Sequence, residues 1–167
     1  TTNKDFGRVS MHGLRNSLLE KQAKSIGIPL QTIPFAADVT MGDYSETMKS
    51  AMTSLTEQGF THGIFGDIFL EDLKEYRDTK LAEVGLQGVY PLWKQDTKAL
   101  LQEFLDLGFK AITVCVNAKL LGEGLPVAGK DFVGRIIDEQ FIKDLPESVD
   151  VCGSNGEFHT LVFDVPI

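Results

Sequence analysis

The sequence has little cysteine, little histidine and no long apolar run. Two cysteines, Cys115 and Cys152, stand far apart among the 167 residues, and only three histidines accompany them. Such a composition indicates neither a disulfide framework nor a zinc site. No apolar run approaches the roughly 20 residues needed to cross a bilayer, and no signal peptide opens the chain. We therefore expect a cytoplasmic protein with no membrane partner and no metal ligands of its own.

Positive charge is also scarce. The 16 lysines and arginines face 24 aspartates and glutamates, which leaves a net charge of -8. An acidic protein is repelled by a phosphate backbone, so nucleic acid is not expected as the main partner. With 43% hydrophobic residues the chain can bury a core of its own. We expect a single domain over residues 1–167.

Helical and extended patterns alternate along the chain. Periodic apolar positions predict helices over 13–26, 44–58, 70–84, 95–107 and 134–143, and strands over 30–34, 60–69, 88–93, 110–116 and 160–163. This alternation favours an α/β fold with three layers, α/β/α, around a mostly parallel sheet. Ligands of such sheets bind beyond the carboxyl ends of the strands. The methionines of the second helix are interpreted as core filler.

A glycine-rich stretch interrupts this alternation at residues 117–130. It contains three glycines and a proline, which predict a loop rather than a helix or strand. Such a loop either covers a binding site or is an ordinary surface connection. The composition leaves both interpretations open.

The stretch that carries most chemistry runs Cys152-Gly-Ser-Asn-Gly-Glu-Phe-His-Thr160. Its glycines permit tight turns, and Asn155, Glu157 and His159 supply an amide, a carboxylate and an imidazole. Because the stretch passes into a strand, Glu157 and His159 are expected on one face. The alternative is an ordinary turn into an edge strand, with a solvated glutamate and a histidine that is merely hydrogen-bonded.

A second candidate site surrounds Asp67, an acid within the otherwise apolar run 64–69. A buried strand carries an ionised group only when that group is paired or functional. Gly66 beside it leaves room for a ligand. The alternative is an aspartate that caps the following helix, with Asp43 in the same role one helix earlier.

The stretch 152–160 is similar to the Gly-Glu-Asn-Gly-Glu-Phe-His-Thr signature of the diphthine-ammonia ligase family. That family is a branch of the N-type ATP pyrophosphatases, whose fold is adenine nucleotide alpha hydrolase-like and Rossmann-like. Ser154 stands where the family has its first glutamate. Three further segments resemble the family in the same order, and together they run almost from end to end: residues 7–15, 66–68 and 91–93.

The resemblance implies an ATP-dependent carboxylate–ammonia ligase. Such an enzyme adenylates a carboxylate, releases pyrophosphate and lets ammonia displace AMP; magnesium is expected with ATP because a cation must neutralise the phosphates. In this family the acceptor is diphthine on a translation elongation factor. A homodimer and an acceptor-substrate subregion over 110–167 are further expectations. The implied nucleotide-binding residues are His12, Arg15, Gly66, Asp67 and Ile68, the catalytic residues are Asn155, Glu157 and His159, and the substrate-binding residues are Trp93, Gly153, Ser154 and Gly156.

One departure from the family is large. Its Ser-Gly-Gly-Lys-Asp-Ser loop, which cradles phosphates, does not occur in the 167 residues. We therefore expect an ATP-pyrophosphatase-like domain that lacks the first strand, phosphate loop and first helix, and a chain that is inactive by itself. Two alternatives stay open. One is amidation of a small carboxylate such as a corrinoid precursor, and the other is a nucleotide-binding module without turnover.

Overall fold

The computed structural model describes residues 1–121 and 129–166, and it is a mixed α/β structure, as the alternation predicted. Residues 122–128, which are half of the predicted glycine-rich loop, lie outside the described part. None of the described helices is long and apolar enough to span a membrane. In chain order the described strands are β1 (Thr2–Asn3), β2 (Arg8–Val9), β3 (Pro34–Phe35), β4 (His62–Ile64), β5 (Gln87–Val89), β6 (Lys110–Val116) and β7 (Phe158–Asp164). The helices are α1 (Asn16–Ile26), α2 (Met41–Glu57), α3 (Glu71–Ala82), α4 (Thr97–Asp106) and α5 (Glu139–Asp144).

The strands form small sheets, and in the described residues no single sheet joins them all. β1 pairs with β3 and β4 pairs with β5, both in parallel, as expected. β6 and β7 form the longest pair, and they are antiparallel. The expected mostly parallel sheet in three layers is therefore not confirmed by the described strands. The half-buried pattern of β6 fits a two-stranded pair with one packed face.

The described chain divides into two compact units. The first comprises residues 1–5 and 32–95, and the second comprises residues 6–31 together with the described residues from 96 onward. The prediction of a single domain over the whole chain stays a prediction.

In the first unit, α2 begins three residues earlier than predicted because Thr40 caps it. The Thr40 hydroxyl oxygen accepts a hydrogen bond from the Asp43 amide at 3.1 Å, and the hydroxyl donates to the Asp43 carboxylate at 2.7 Å. The expected Asp43 cap was therefore wrong, although its charge still suits the positive end of the helix. β4 is also much shorter than the predicted strand 60–69. Asp67 consequently lies in the loop after β4 rather than within a strand.

The second unit holds the main hydrophobic core. Phe141 packs edge-on against Phe132 and Phe158, with ring centroids 5.6 and 5.4 Å apart. All three rings are almost fully buried. Leucine and small apolar side chains complete this cluster: Leu101, Ala111, Leu121, Ile137, Val149 and Val151. The core therefore includes side chains from both strands of the β6–β7 pair, Ala111 and Phe158.

The predicted helix over 134–143 forms only in its second half. Residues 134–137 instead run along β6, where the Thr113 amide donates to the Arg135 carbonyl and the Ile137 amide donates to the Ala111 carbonyl, both at 2.9 Å. These bonds satisfy main-chain groups that a helix would have satisfied internally. α5 starts only at Glu139, after Asp138 accepts a capping bond from the Phe141 amide at 2.7 Å.

Candidate functional site

The motif before β7 folds as two successive turns. The Gly153 amide donates to the Asp150 carbonyl at 2.9 Å, and the Gly156 amide donates to the Gly153 carbonyl at 3.1 Å. Gly153 has φ of +67°, and a Cβ placed on it would lie 2.9 Å from the Phe158 carbonyl oxygen. Only glycine fits there, because both the backbone angle and the available space exclude a side chain. The Ser154 amide adds a bond to the Asp150 carboxylate at 3.0 Å.

Glu157 lies inside this turn rather than on the face of the strand. Only 3% of the Glu157 residue is exposed. One carboxylate oxygen accepts from the Asn155 amide at 2.8 Å, and the other accepts from the Asn155 side-chain nitrogen at 3.0 Å and from the Asp150 amide at 3.2 Å. Glu157 directly precedes β7, whereas His159 lies within it, so their predicted shared face stays a prediction. The catalytic roles assigned to Asn155 and Glu157 stay predictions.

His159 contacts His12, a pairing that the sequence did not indicate. The two ring centroids are 4.4 Å apart, and the ring planes are inclined by 39°. His12 belongs to the turn after β2, where its Nδ1 lies 3.2 Å from the Ser10 carbonyl oxygen. Burial, followed by the charge that His12 can carry, lowers the pKa of His159 below its ordinary value. A neutral imidazole, able to accept a proton, is thereby favoured at neutral pH.

A cavity of about 520 Å³ adjoins His159. The end of β6 and the turn that follows supply one part of its lining, and the motif before β7 supplies the rest. The lining residues are Cys115, Val116, Asn117, Ala118, Lys119, Gly156, Phe158 and His159. No sequence motif singled out Asn117 or Lys119. The antiparallel pairing of β6 with β7 places Cys115 opposite His159, and that pairing was not predicted.

Arg15 occupies the N-cap position of α1, and its side chain makes no capping hydrogen bond there. It is exposed, whereas the neighbouring Leu14 is buried. Arg15 and His12 lie between β2 and α1, and both belong to the second unit. Their predicted roles in nucleotide binding stay predictions.

In the first unit, Asp67 pairs with Arg77 of α3. The Asp67 carboxylate and Arg77 Nε are 2.9 Å apart, with 13% of the aspartate side chain and 34% of the arginine side chain exposed. The two atoms make an ion pair without an aligned hydrogen bond, since both lack a hydrogen-bond partner among the described residues. The Arg77 guanidinium also covers the Phe65 ring at 4.7 Å. Asp67 is therefore paired. The alternative that it caps the following helix was wrong, because Leu70 occupies the N-cap position of α3 and no side chain caps that helix.

Gly66 and Ile68 flank that carboxylate. Gly66 is exposed, and a Cβ added to it would meet no atom within 4 Å, so a ligand has room to approach. Ile68 is buried, and its carbonyl accepts a hydrogen bond from the Lys94 amide at 2.6 Å. This bond joins the loop after β4 to the turn that contains Trp93. The structure thus brings together the candidate residues of the first unit.

Trp93 lies in a turn after β5 rather than in the predicted strand 88–93. The Lys74 ammonium lies over the Tyr90 and Trp93 rings, 4.6 and 5.6 Å from their centroids. The Tyr90 hydroxyl donates to Asp78 at 2.8 Å. Burial, with Asp78 adding to it, raises the pKa of Tyr90 to about 12. This hydroxyl therefore stays protonated and structural, and the substrate role of Trp93 stays a prediction.

A second cavity, of about 400 Å³, opens between α2 and α3. Met48 and Met52, interpreted from the sequence as core filler, line this cavity and are only half-buried. Phe65 and Leu81 line it as well. The amphipathic pattern located the apolar face of α2 correctly but could not show that the face stays open.

Comparison with known proteins agrees with the motifs. Residues 96–167 match the family described as Diphthamide synthase C-terminal domain. A protein named diphthine–ammonia ligase from Danio rerio is 28% identical over 163 residues, which cover 87% of this chain and 60% of that protein. The Bos taurus protein of the same name is 27% identical over 131 residues, which cover 75% of this chain and 47% of that protein. The chain thus spans about half of the length of these relatives, and its resemblance to the diphthine-ammonia ligase family is confirmed.

Proposed function

We propose that this chain is part of an ATP-dependent ligase that joins ammonia to a carboxylate. The main support for this proposal comes from residues 96–167, which match the diphthamide synthase family. This region contains the closed turn at 150–157 and also His159, which lines the cavity beside β7. A fixed turn, a histidine with a lowered pKa and a cavity wide enough for a small acceptor group occur together there. The relatives named diphthine–ammonia ligase support diphthine as the acceptor and ammonia as the nitrogen source.

In the proposed reaction a carboxylate is activated as a mixed anhydride with AMP, and pyrophosphate leaves. The ammonia lone pair then attacks the acyl carbon, a C–N bond forms and the C–O bond to AMP breaks. A proton leaves the nitrogen, and neutral His159 is suited to accept it. The turn at 150–157 and the lining of the cavity hold the acceptor side.

ATP and Mg²⁺ belong to this proposal, but the described residues fit them poorly. The first turn of α3, which follows Gly66–Ile68, carries Glu71 and Asp72. Two carboxylates at a helix start oppose a phosphate rather than attract it. The described residues also contain no group of three side chains that could hold a metal ion. No step of the ATP chemistry is therefore assigned to these residues. The proposal also includes the three-layer, Rossmann-like α/β/α fold.

A nucleotide-binding module without turnover is the second candidate. The specific observation in its favour is that no Ser-Gly-Gly-Lys-Asp-Ser sequence occurs in the 167 residues. A protein of this kind would bind a nucleotide without releasing pyrophosphate. A cytoplasmic location and homodimer formation accompany the ligase proposal.

The deciding experiment measures AMP, pyrophosphate and amide with purified protein, ATP, Mg²⁺ and ammonium. Diphthine-bearing elongation factor is one acceptor, and a small carboxylate of the corrinoid-precursor type is the other. We expect the 167-residue chain alone to release no pyrophosphate, and a longer protein that contains it to form AMP and amide in equal amounts. A longer protein that binds ATP but forms neither product with either acceptor would favour the binding module.

A further inference from the structure

Glu157 is a buried acid whose hydrogen-bonding capacity is used by its own loop. Three donors, the amides of Asn155 and Asp150 and the side-chain nitrogen of Asn155, lie within 3.2 Å of its two oxygens. Only 3% of the residue is exposed. A carboxylate in this state holds the loop together and has little access to a substrate. Its chemical effect must therefore pass through the groups that it binds.

Asn155 is an exposed residue that is hydrogen-bonded to the buried Glu157 carboxylate. Oxygen and nitrogen of an asparagine side chain are usually hard to distinguish, but a carboxylate can only accept hydrogen bonds. The end of the Asn155 amide that faces Glu157 must therefore be the nitrogen. Its Oδ1 is left as the outward acceptor, and within the described residues no donor contacts that oxygen. Asn155 is itself exposed, so the oxygen is accessible.

An acceptor held beside a buried negative charge favours a ligand with N–H donors and positive or partly positive character. Ammonia and ammonium meet this description, whereas a carboxylate or phosphate does not. A bound ammonia that donates one N–H to Oδ1 keeps its lone pair free on the opposite side. Gly156, the next residue, lines the same cavity as His159. Asn155 itself therefore lies one residue away from the lining of the proposed acceptor site.

We propose that Asn155 Oδ1 binds the ammonia nucleophile and that Glu157 is the positioning residue that fixes this oxygen. The inference rests on the proposed function, because that function makes ammonia the nucleophile. Glu157 then neither removes a proton nor binds a metal. Its loss releases the Asn155 amide, which is free to turn its nitrogen outward.

The first test needs no turnover. The isotope-labelled 167-residue chain is titrated with ammonium chloride, with sodium chloride at equal ionic strength as the reference, and the NMR signal of the Asn155 side-chain carbonyl carbon is followed. We expect a saturable shift with ammonium only, and a shift at least tenfold weaker in Glu157→Gln. Asp138→Asn is the matched control, because Asp138 also accepts a main-chain amide bond in the second unit, and it should keep the wild-type response.

If Glu157→Gln fails to fold, Asn155→Gln provides a second variant for the same titration. Residue 155 is exposed, so this variant should fold, but its longer side chain displaces the acceptor oxygen and weakens the response of its own carbonyl carbon. The inference is overturned if the wild-type signal does not respond to ammonium. It is also overturned if either substitution leaves the response at wild-type strength.

The second test separates this inference from the proposed function. In a longer protein that turns over, Asn155→Ala and Glu157→Gln should raise the KM for ammonium about tenfold, the usual effect of one lost hydrogen bond, while the Kd for ATP is unchanged. Unchanged ammonium dependence with normal amide formation would overturn the inference and leave the function standing. Ammonium binding without any AMP or amide formation would overturn the proposed function and leave an ammonium site at Asn155 that supplies no nucleophile.

Discussion

His12 and His159 lie in contact, with ring centroids 4.4 Å apart, although they come from opposite ends of the chain. Two imidazoles this close resist simultaneous protonation, and burial already disfavours the charged form of His159. Both causes lower the pKa of His159. The contact therefore couples the titration of the histidine at the start of β7 to a turn near the amino terminus.

Replacing His12 by alanine should raise the pKa of His159 towards, but not beyond, its ordinary value of 6.5. The repulsion from His12 is removed, whereas the larger effect of burial remains. NMR titration of the His159 ring proton measures this shift. His62→Ala, which removes an exposed histidine of the first unit, serves as the control and should leave the titration unchanged. An unchanged or lower pKa in His12→Ala would contradict the coupling.

The same pKa direction predicts how stability depends on pH. Above about 6.5 His159 is neutral in both states and contributes nothing. As the pH falls through that value, the unfolded chain binds the proton first, so the free energy of unfolding decreases until the folded protein is protonated as well. Urea unfolding between pH 7.5 and 4.5 should show a smaller decrease in His159→Gln. An identical pH profile in that variant would contradict this assignment.

Gly153→Ala should destabilise the protein more than Gly156→Ala. Both glycines have positive φ, +67° and +79°, which costs an alanine about 1 kcal/mol. At Gly153 the new methyl group would also meet the Phe158 carbonyl at 2.9 Å, whereas at Gly156 it meets nothing within 4 Å. The added overpacking should cost a further ~1–3 kcal/mol in urea unfolding. Equal decreases in the free energy of unfolding of the two variants would show that the turn accommodates the methyl group at position 153 without strain.

Asp67→Asn should lower the free energy of unfolding by about 1–3 kcal/mol, because it leaves a partly buried Arg77 without its counter-ion. Arg77→Met in the same background should recover part of this loss, so the double-mutant cycle gives a coupling energy. ATP titration of each variant tests the separate prediction that Asp67 handles nucleotide. Coupling near zero would mean that the 2.9 Å contact adds no stability.

Cys152 should react slowly with alkylating reagents. Burial, followed by the negative charges of Asp150 and Asp96, raises the pKa of its thiol from 9.0 to about 11. The reactive thiolate is then about 100-fold less populated than for the unperturbed thiol at pH 8. Peptide mass spectrometry after iodoacetamide treatment measures the rate, with the urea-unfolded chain as the reference. A native rate equal to the unfolded rate would contradict a buried thiol.

Local sequence signals located most helices and β6, but they overestimated the short strands and did not show which elements pair. Gly27, with φ of +77°, ends α1 as predicted, and β6 has the predicted bounds. The helix predicted from Gly134 failed because those residues bond to Thr113 and Ala111 of β6, and a periodic pattern contains no record of such tertiary competition. The same limit applies to the site. The motif at 152–160 could be recognised in the sequence, but the contact of His12 with His159 depends on the fold.

The short β4 also affects how the chain behaves in concentrated solution. The main-chain bonds of Thr61 and Phe65 go to β5, and in a parallel ladder the alternate residues, His62 and Ile64, direct their amides and carbonyls away from it. No other strand in the described residues pairs with β4, and Ile64 is 75% exposed. An uncovered apolar edge of this kind recruits strands from other molecules. Purification yield and shelf life should therefore be limited by aggregation that begins at this edge, and a lysine at position 64 should relieve it.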